Sequence, residues 1–209
     1  NILGEANWAP FASSLRDDDV SYLTFVGEGE NMANLQLAMA DLGYEPEVMQ
    51  VEANLYDPNY LEAAGDAADG TFVRTALWPF EEAADNPTGA TQQYIDLIEA
   101  RDGKVAGLGA QSFSAWLLFS QLAGECDVEG DLTRDCILEK GSEVSEWTGG
   151  GLHAPANPGQ NSGTACFIAL QVQDGEFVRY EPASIDGGEA GYNCADDNLA
   201  ILQGDFATE

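Results

Sequence analysis

The residues Val26-Gly27-Glu28-Gly29-Glu30-Asn31 join an apolar run, VSYLTFV, to a stretch with helical spacing, NLQLAMADLGY. A glycine-rich turn from strand into helix is where α/β proteins cradle phosphate, using backbone N–H groups, the helix dipole and often a Lys or Arg. Here Glu28 and Glu30 occupy the turn, and no basic residue lies between Arg16 and Arg74. A phosphate would meet like charge, so the stretch does not read as a nucleotide site.

Other chemistries find less support. The chain has one histidine, His153, set between a glycine-rich turn and Pro155, where it reads as a surface loop residue. Without a G-x-S-x-G elbow or a second histidine, no nucleophilic triad is visible. Paired carboxylates cannot be singled out in so acidic a chain. The acid-rich tail DGGEAGYNCADDN lacks the spacing of a calcium loop. No C-x-x-C pair exists, which argues against zinc. The four cysteines read better as two disulfides, Cys126 to Cys136 and Cys166 to Cys194, and these imply an oxidising compartment. No metal and no cofactor is expected.

The 209 residues carry 37 acidic against 7 basic side chains, a formal net charge of −30. That field repels nucleic acid and anionic membranes. The acids are scattered rather than clustered, as on a solvated surface suited to a saline or extracellular medium. No apolar run is long enough to span a bilayer, and the first residues lack the features of a signal peptide. The expectation is that, if the protein is exported, its beginning lies outside this chain.

Alternation predicts a buried strand over 20–26, followed by a helix capped by Asn31 and stopped at Gly43. EPEVMQV and TFVRTALW read as further strands, with a short helix entered at Asp57-Pro58 between them. Strand, helix, strand in this order argues for a parallel α/β architecture. After Pro79 the chain turns mainly helical. Trp116 and Phe119 fall among apolar positions that wrap nearly all round one helix, which predicts that they are core. Thr133 is a plausible cap, and Asp174-Gly175 marks the turn of a β-hairpin.

The pieces DDDVSYLTFVGEGENMANLQLAMADLGY, YDPNYLEAAGDAADGTFV, PFEEAADNP and QSFSAWLLFSQLAG occur in a specific order. In that order they resemble the carboxy-terminal portion of type I periplasmic solute-binding proteins of ABC importers, in the branched-chain amino acid branch. DLTRDCILEKGSEVSEWTGGGLHAPANPG and CFIALQVQDGEFVRYEP look like the actinobacterial version, and the likeness runs over about residues 8–182. The resemblance implies an α/β fold of two lobes, parallel sheets flanked by helices, with most of the first lobe missing. Residues 1–80 would belong to the second lobe, with WPFEE as a crossing, and 81–147 would be helices returning to the first. Residues 148–209 would form a Gly/Pro-rich loop, the hairpin and a disulfide-tied tail.

It also implies a binding protein rather than an enzyme: an extracytoplasmic component that holds a small polar ligand, an amino acid or amide-like molecule, for an ABC permease. A lipid anchor at an N-terminus outside this chain would keep it peripheral to the membrane. An ammonium ligand calls for a shielded carboxylate. Alignment through LAMADLGY places Gly27 to Gly29 at the first contact loop and Glu52 where leucine-type binders carry the acid that meets the ammonium. Glu28 is the next candidate, although both can also be ordinary acids of an acidic surface. Asn54 and Tyr56 would add hydrogen bonds from the second loop, or simply form a helix entry. Trp78 and Phe80 would face the cleft or pack at the hinge. A leucine-type binder would show a tyrosine at the first loop where this chain has Glu28 and Gly29, which leaves room for amides, urea-like ligands and polyamines. The competing reading is a component of an extracellular assembly built on a solute-binding fold, without transport.

Overall fold

The computed structural model of the chain describes residues 7–180, 191–195 and 198. The tail segment 186–198 considered above for calcium lies for the most part outside the described residues.

The first half builds a parallel layer. Helix α1 (Ala9–Asp17) leads into strand β1 (Tyr22–Phe25), helix α2 (Gly29–Asp41) and strand β2 (Val48–Glu52). A 3-10 turn, Ala53–Leu55, helix α3 (Pro58–Ala64) and strand β3 (Phe72–Thr75) follow. The local signals explain several ends. Asp57 caps α3 by accepting from the Asn59 N–H at 2.9 Å. Gly43 takes a left-handed conformation, φ +61°, which closes the last turn of α2 as Tyr44 N–H donates to Met39. The predicted cap Asn31 is not a cap: α2 starts two residues earlier, at Gly29, with Glu28 in the extended N-cap position. Gly29 can open the helix there because a Cβ at this point would press on Tyr60 Cβ at 3.1 Å.

Beyond β3 come a 3-10 segment, Phe80–Asp85, and helices α4 (Ala90–Glu99), α5 (Gly107–Val128) and α6 (Arg134–Ser142). Thr133 caps α6, accepting from Cys136 N–H at 3.2 Å. The hairpin of β4 (Ile168–Gln173) and β5 (Glu176–Arg179) turns through Asp174 and Gly175, both at positive φ. Instead of standing apart, it extends the first layer. The sheet runs in the order β1-β2-β3-β4-β5, parallel through β3 and antiparallel from there.

Strands β2 to β5 bury alternate residues. Met49, Val51, Val73, Ile168, Leu170, Val172 and Phe177 face the core with Met32, Leu35 and Met39 of α2 and Tyr60 and Ala64 of α3. The opposite face is only partly covered and carries Tyr22, Gln50, Phe72, Arg74 and Tyr180. Strand β1 is an edge strand rather than a buried one: Tyr22 is 53% exposed, because only β2 flanks it among the described residues.

Helix α5 corrects another expectation. Its buried stripe is Gly107, Ala110, Ser114, Leu122 and Cys126, whereas Trp116 is 67% and Phe119 45% exposed, the two rings meeting edge to face. An all-round apolar helix must be covered somewhere, but periodicity does not reveal whether the cover belongs to the same stretch of chain. Both disulfides are present, Cys126–Cys136 joining α5 to α6 and Cys166–Cys194 holding the tail to the start of the hairpin.

Candidate ligand-binding site

In an open α/β sheet, ligands bind outside the carboxyl ends of the strands, where the loops after neighbouring parallel strands converge. Here β1 ends into Gly27 to Gly29 and β2 ends at Glu52. Their pairing in register, Phe25 with Val51, brings the two loops side by side. Asn54 binds one loop to the other, its amide donating to the Gly27 carbonyl at 2.5 Å. Gly27, Gly29, Glu52 and Asn54 therefore share one end of the sheet. The Glu28 carboxylate is exposed at the N-terminus of α2, where the helix dipole favours it, and it makes no capping bond.

Glu52 stands at the last position of β2 and is half-buried. Its Oε1 accepts from Gln50 Nε2 at 3.3 Å and lies 3.8 Å from Arg74 Nη1 on β3. Arg74 is directly paired with Glu52 in register, and its guanidinium lies over the Phe167 ring at 5.3 Å. Neither Arg74 nor Phe167 was among the expected site residues. The available signal was a lone arginine inside the apolar strand TFVRTALW.

Two expected contacts turn inward. Tyr56 is buried, stacks on Phe80 with ring centroids 4.5 Å apart, and meets Phe177 edge-on. Its hydroxyl donates to Glu81 and accepts from the Phe80 N–H at 2.7 Å. Burial, with Glu81 beside it, pushes that hydroxyl far above the ordinary tyrosine range, and burial likewise raises the Glu81 carboxyl. Trp78 is also buried. Its indole N–H donates to the Glu82 carbonyl at 2.9 Å, its ring lies under Arg179, and Tyr192 packs on it edge-on. These residues brace the segment after β3; Tyr56 hydrogen-bonds within the protein, and Trp78 packs as an aromatic strut.

His153 is half-buried rather than a free surface residue. Nδ1 lies 2.7 Å from the Ala154 carbonyl and Nε2 lies 2.7 Å from Ser114 Oγ, which also accepts from Trp147 Nε1 at 2.8 Å. A carbonyl only accepts, so Nδ1 carries the proton and Nε2 receives the Ser114 hydroxyl. The result is a neutral chain from Trp147 through Ser114 and His153, with a carbonyl at the place where a triad has a carboxylate. It joins α5 to the loop that returns toward β3, where His153 bridges Leu77.

Burial lowers the His153 pKa from its ordinary value. A histidine depressed in the fold stabilises above the unfolded value of about 6.5 and loses that contribution as the pH falls through its folded value. The expected result is that wild type exceeds His153→Gln in melting temperature at pH 7.5 and that the gap narrows toward pH 5. Calorimetry at a series of pH values checks this, and two parallel curves would contradict it.

A family model described as periplasmic binding protein matches residues 2–176. The chain belongs to the periplasmic binding protein family. Solved structures agree in fold. A leucine binding protein from Thermotoga maritima is 16% identical with a TM-score of 0.66, over 85% of this chain and 48% of its own. A branched chain amino acid ABC transporter from Thermus thermophilus with bound valine is 13% identical with a TM-score of 0.68, over 83% of this chain and 48% of its own. A fatty acid ABC transporter substrate-binding protein from Thermomonospora curvata is 16% identical with a TM-score of 0.73, over 93% of this chain and 48% of its own. Among curated proteins none matches significantly.

This periplasmic binding protein thus has the type I α/β fold, with a mostly parallel first layer flanked by helices, and its chain spans about half the length of the structures it matches. Among the described residues no helix is long and apolar enough to cross a membrane.

Proposed function

We propose that this periplasmic binding protein captures a small polar ligand, an amino acid or amide-like molecule, outside the cytoplasm and presents it to an ABC permease, without catalysing a reaction. The observation that carries this reading is the convergence of Gly27, Gly29, Glu52 and Asn54 at the carboxyl ends of adjacent parallel strands, tied by the Asn54 to Gly27 bond. Glu52 meets the ligand's ammonium, the glycine turn lets backbone approach it, and Glu28 adds negative potential at the rim. Tyr56 and Trp78 act behind this wall by holding the segment after β3. Partners for the rest of the ligand come from the portion of the fold that the relatives possess beyond this span. Closure of two lobes on the ligand is driven by contacts made to both at once. The leucine-binding, valine-bound and fatty acid proteins that share this fold support a small-molecule ligand and leave its class open.

The test is a thermal-shift screen of the full-length protein against amino acids, amides, polyamines and fatty acids. A ligand at a hundred times its Kd adds about 2.7 kcal/mol. For a protein of this size that is a rise of about 5–11 °C. Glu52→Gln should reduce the rise to about 1–5 °C, since a charge-assisted bond contributes about 1.5–3 kcal/mol. A full shift retained by Glu52→Gln would remove Glu52 from the site.

A second reading rests on the exposed apolar face of α5, with Leu108, Trp116 and Phe119 at the surface. It makes the protein a component of an extracellular assembly that docks through this helix. The same screen separates the two: no stabilisation by any compound, together with self-association relieved by Trp116→Lys, favours the assembly.

A further inference from the structure

We propose that the tail segment Gly191 to Cys194 is a redox-sensitive clasp on the segment leading out of β3, and that opening the Cys166–Cys194 disulfide with a dithiol frees the joint between the sheet and helices α4 to α6. As a control on ligand capture this rests on the two-lobe reading above; as a property of the chain it does not.

The joint consists of two stretches of chain. Ala76 to Phe80 leads from β3 toward α4, and Leu152 to Ala154 lies on the return from α6 toward β4. The two are paired: Trp78 N–H donates to the Leu152 carbonyl at 3.0 Å, Ala154 N–H donates to the Ala76 carbonyl at 2.9 Å, and Leu77 bridges His153. The chain passes from sheet to helices and back through this pair, so a rotation of one against the other bends it.

The clasp grips the joint from the sheet side. Arg179, the last residue of β5, places Nε 3.0 Å from both Glu82 oxygens and Nη2 2.6 Å from Oε2, with its guanidinium carbon 5.5 Å over the Trp78 ring. The remaining nitrogen, Nη1, donates to the Gly191 carbonyl at 2.8 Å. Tyr192 covers Trp78 edge-on with ring centroids 6.0 Å apart, and each of the two residues is 8% exposed. The Trp78 indole N–H in turn holds the Glu82 carbonyl at 2.9 Å. Gly191 and Tyr192 therefore supply an acceptor to the arginine and a wall to the indole that together fix Trp78 and Glu82.

The disulfide keeps the clasp shut. Phe167 and Asn193 exchange two backbone hydrogen bonds at 2.9 Å, and next to them Cys194 is joined to Cys166 across a separation of 28 residues. Opening a loop of that length returns freedom to the undocked tail and weakens its docking by on the order of a hundredfold.

The same disulfide is the accessible one of the two. Thiol–disulfide exchange requires a thiolate to reach a sulfur. Cys166 and Cys194 are half-buried, whereas Cys126 is fully buried and Cys136 is 7% exposed. A thiolate of the dithiol attacks one sulfur, the S–S bond breaks, and the other cysteine leaves and takes a proton. The second thiol of the reductant then displaces the first cysteine. Two electrons and two protons thus pass to the protein, which gains two thiols, and the reductant departs as its own disulfide.

The experiment has two parts, both on the full-length protein without ligand. Under limiting dithiothreitol followed by alkylation and mass spectrometry, Cys166 and Cys194 should be labelled at least about tenfold faster than Cys126 and Cys136. In amide hydrogen exchange, the double variant Cys166→Ser/Cys194→Ser should speed the Asn193 amide by about a hundredfold and those of Trp78 and Ala154 by about tenfold. Val51 and Val73 inside the sheet should stay within about twofold of wild type, which shows that the variant is folded. Tyr192→Ala, with the disulfide intact, should speed Trp78 and Ala154 as well, and it carries the test if the double variant does not fold. Equal labelling of the four cysteines, or wild-type exchange at Trp78 and Ala154 in the folded variants, overturns the proposal. So does a Cys126→Ser/Cys136→Ser variant that speeds the same amides equally, because the loosening would then be general. No ligand enters these measurements, so a thermal-shift screen without hits leaves the clasp standing, and failure of the clasp leaves the capture reading standing.

Discussion

Gly107→Ala is expected to lower the melting temperature by about 6–12 °C, which follows from an overpacking cost of about 3 kcal/mol at about 2–4 °C per kcal/mol. Gly107 opens α5 and donates its N–H to the Tyr56 carbonyl at 2.7 Å. A Cβ at this position would stand 2.2 Å from the Ala53 carbonyl oxygen and 3.2 Å from both the Ala53 carbonyl carbon and Tyr56 Cβ. The obstruction is mainly backbone, so no rotamer change relieves it, and α5 must shift away from the 3-10 turn Ala53–Leu55. That turn follows Glu52 directly and contains Asn54, so the same substitution should weaken ligand binding through displacement alone. Gly124, in the same helix, has no neighbouring atom within 4 Å of a Cβ, and there alanine should be neutral or add about 0.5–1 kcal/mol by its better helix propensity. Paired calorimetric scans measure the contrast. A Gly107→Ala protein within about 2 °C of wild type would show that α5 is not seated on the turn as described.

Gln36→Ala is expected to be at least as damaging, at about 3–5 kcal/mol, the sum of a small cavity and two hydroxyls losing their main partner. Gln36 lies in α2 with 2% exposure. Its Nε2 donates to Thr71 Oγ1 at 2.8 Å and touches Met49 Sδ at 3.8 Å, while its Oε1 accepts from Tyr60 O–H at 2.8 Å. One amide thus ties α2, α3 and the residue before β3 in a dry interior. Removing it leaves the Tyr60 and Thr71 hydroxyls with only their mutual contact at 3.4 Å. The triple variant Gln36→Leu, Tyr60→Phe, Thr71→Val removes all the polar partners together and should recover more than half of the loss, because unmet polar groups cost more than absent ones. Denaturant unfolding of the two variants decides it; equal destabilisation would show that the cost is packing alone.

How far the sequence could be read depended on the range over which each signal acts. Asp57, Gly43, Thr133 and the Asp174-Gly175 turn act within a few residues, through a side-chain cap or a positive φ, and each ends or turns its element as expected. Asn31 has the chemistry of a cap but was overridden, because Gly29 allows α2 to begin earlier against Tyr60. The placement of the hairpin beside β3 depends on pairing across distant segments and could not be seen in either one alone. The same limit applied to α5, whose apolar circumference says that it needs cover without saying from where.

For the site, the strand-to-helix pattern brought the Gly27 turn to attention and the resemblance brought Glu52, and both stand at the carboxyl end of the sheet. Tyr56 was open between a ligand hydrogen bond and a helix entry, and Trp78 between the cleft and packing at the hinge. Their polar atoms bond to Glu81, Phe80 and Glu82. Arg74 was hidden by its strand context, where a single charge among apolar neighbours looks like noise until register puts it beside Glu52. His153 was judged by its glycine and proline neighbours, and Ser114, the residue that draws it inward, lies on another element.

The hairpin also sets the order in which the molecule can form. Strand β3 pairs on one side with β2, only a short way back, and on the other with β4, about a hundred residues downstream. Contacts that bridge so long a loop form slowly, because the chain between them must be gathered before any pairing rewards it. During synthesis and early folding the parallel layer therefore waits with the inner edge of β3 bare, a row of N–H and C=O groups open to any stray strand. Completion of the sheet by β4 and β5 makes these two strands a latch, and it makes the nascent protein dependent on whatever protects that edge until they arrive.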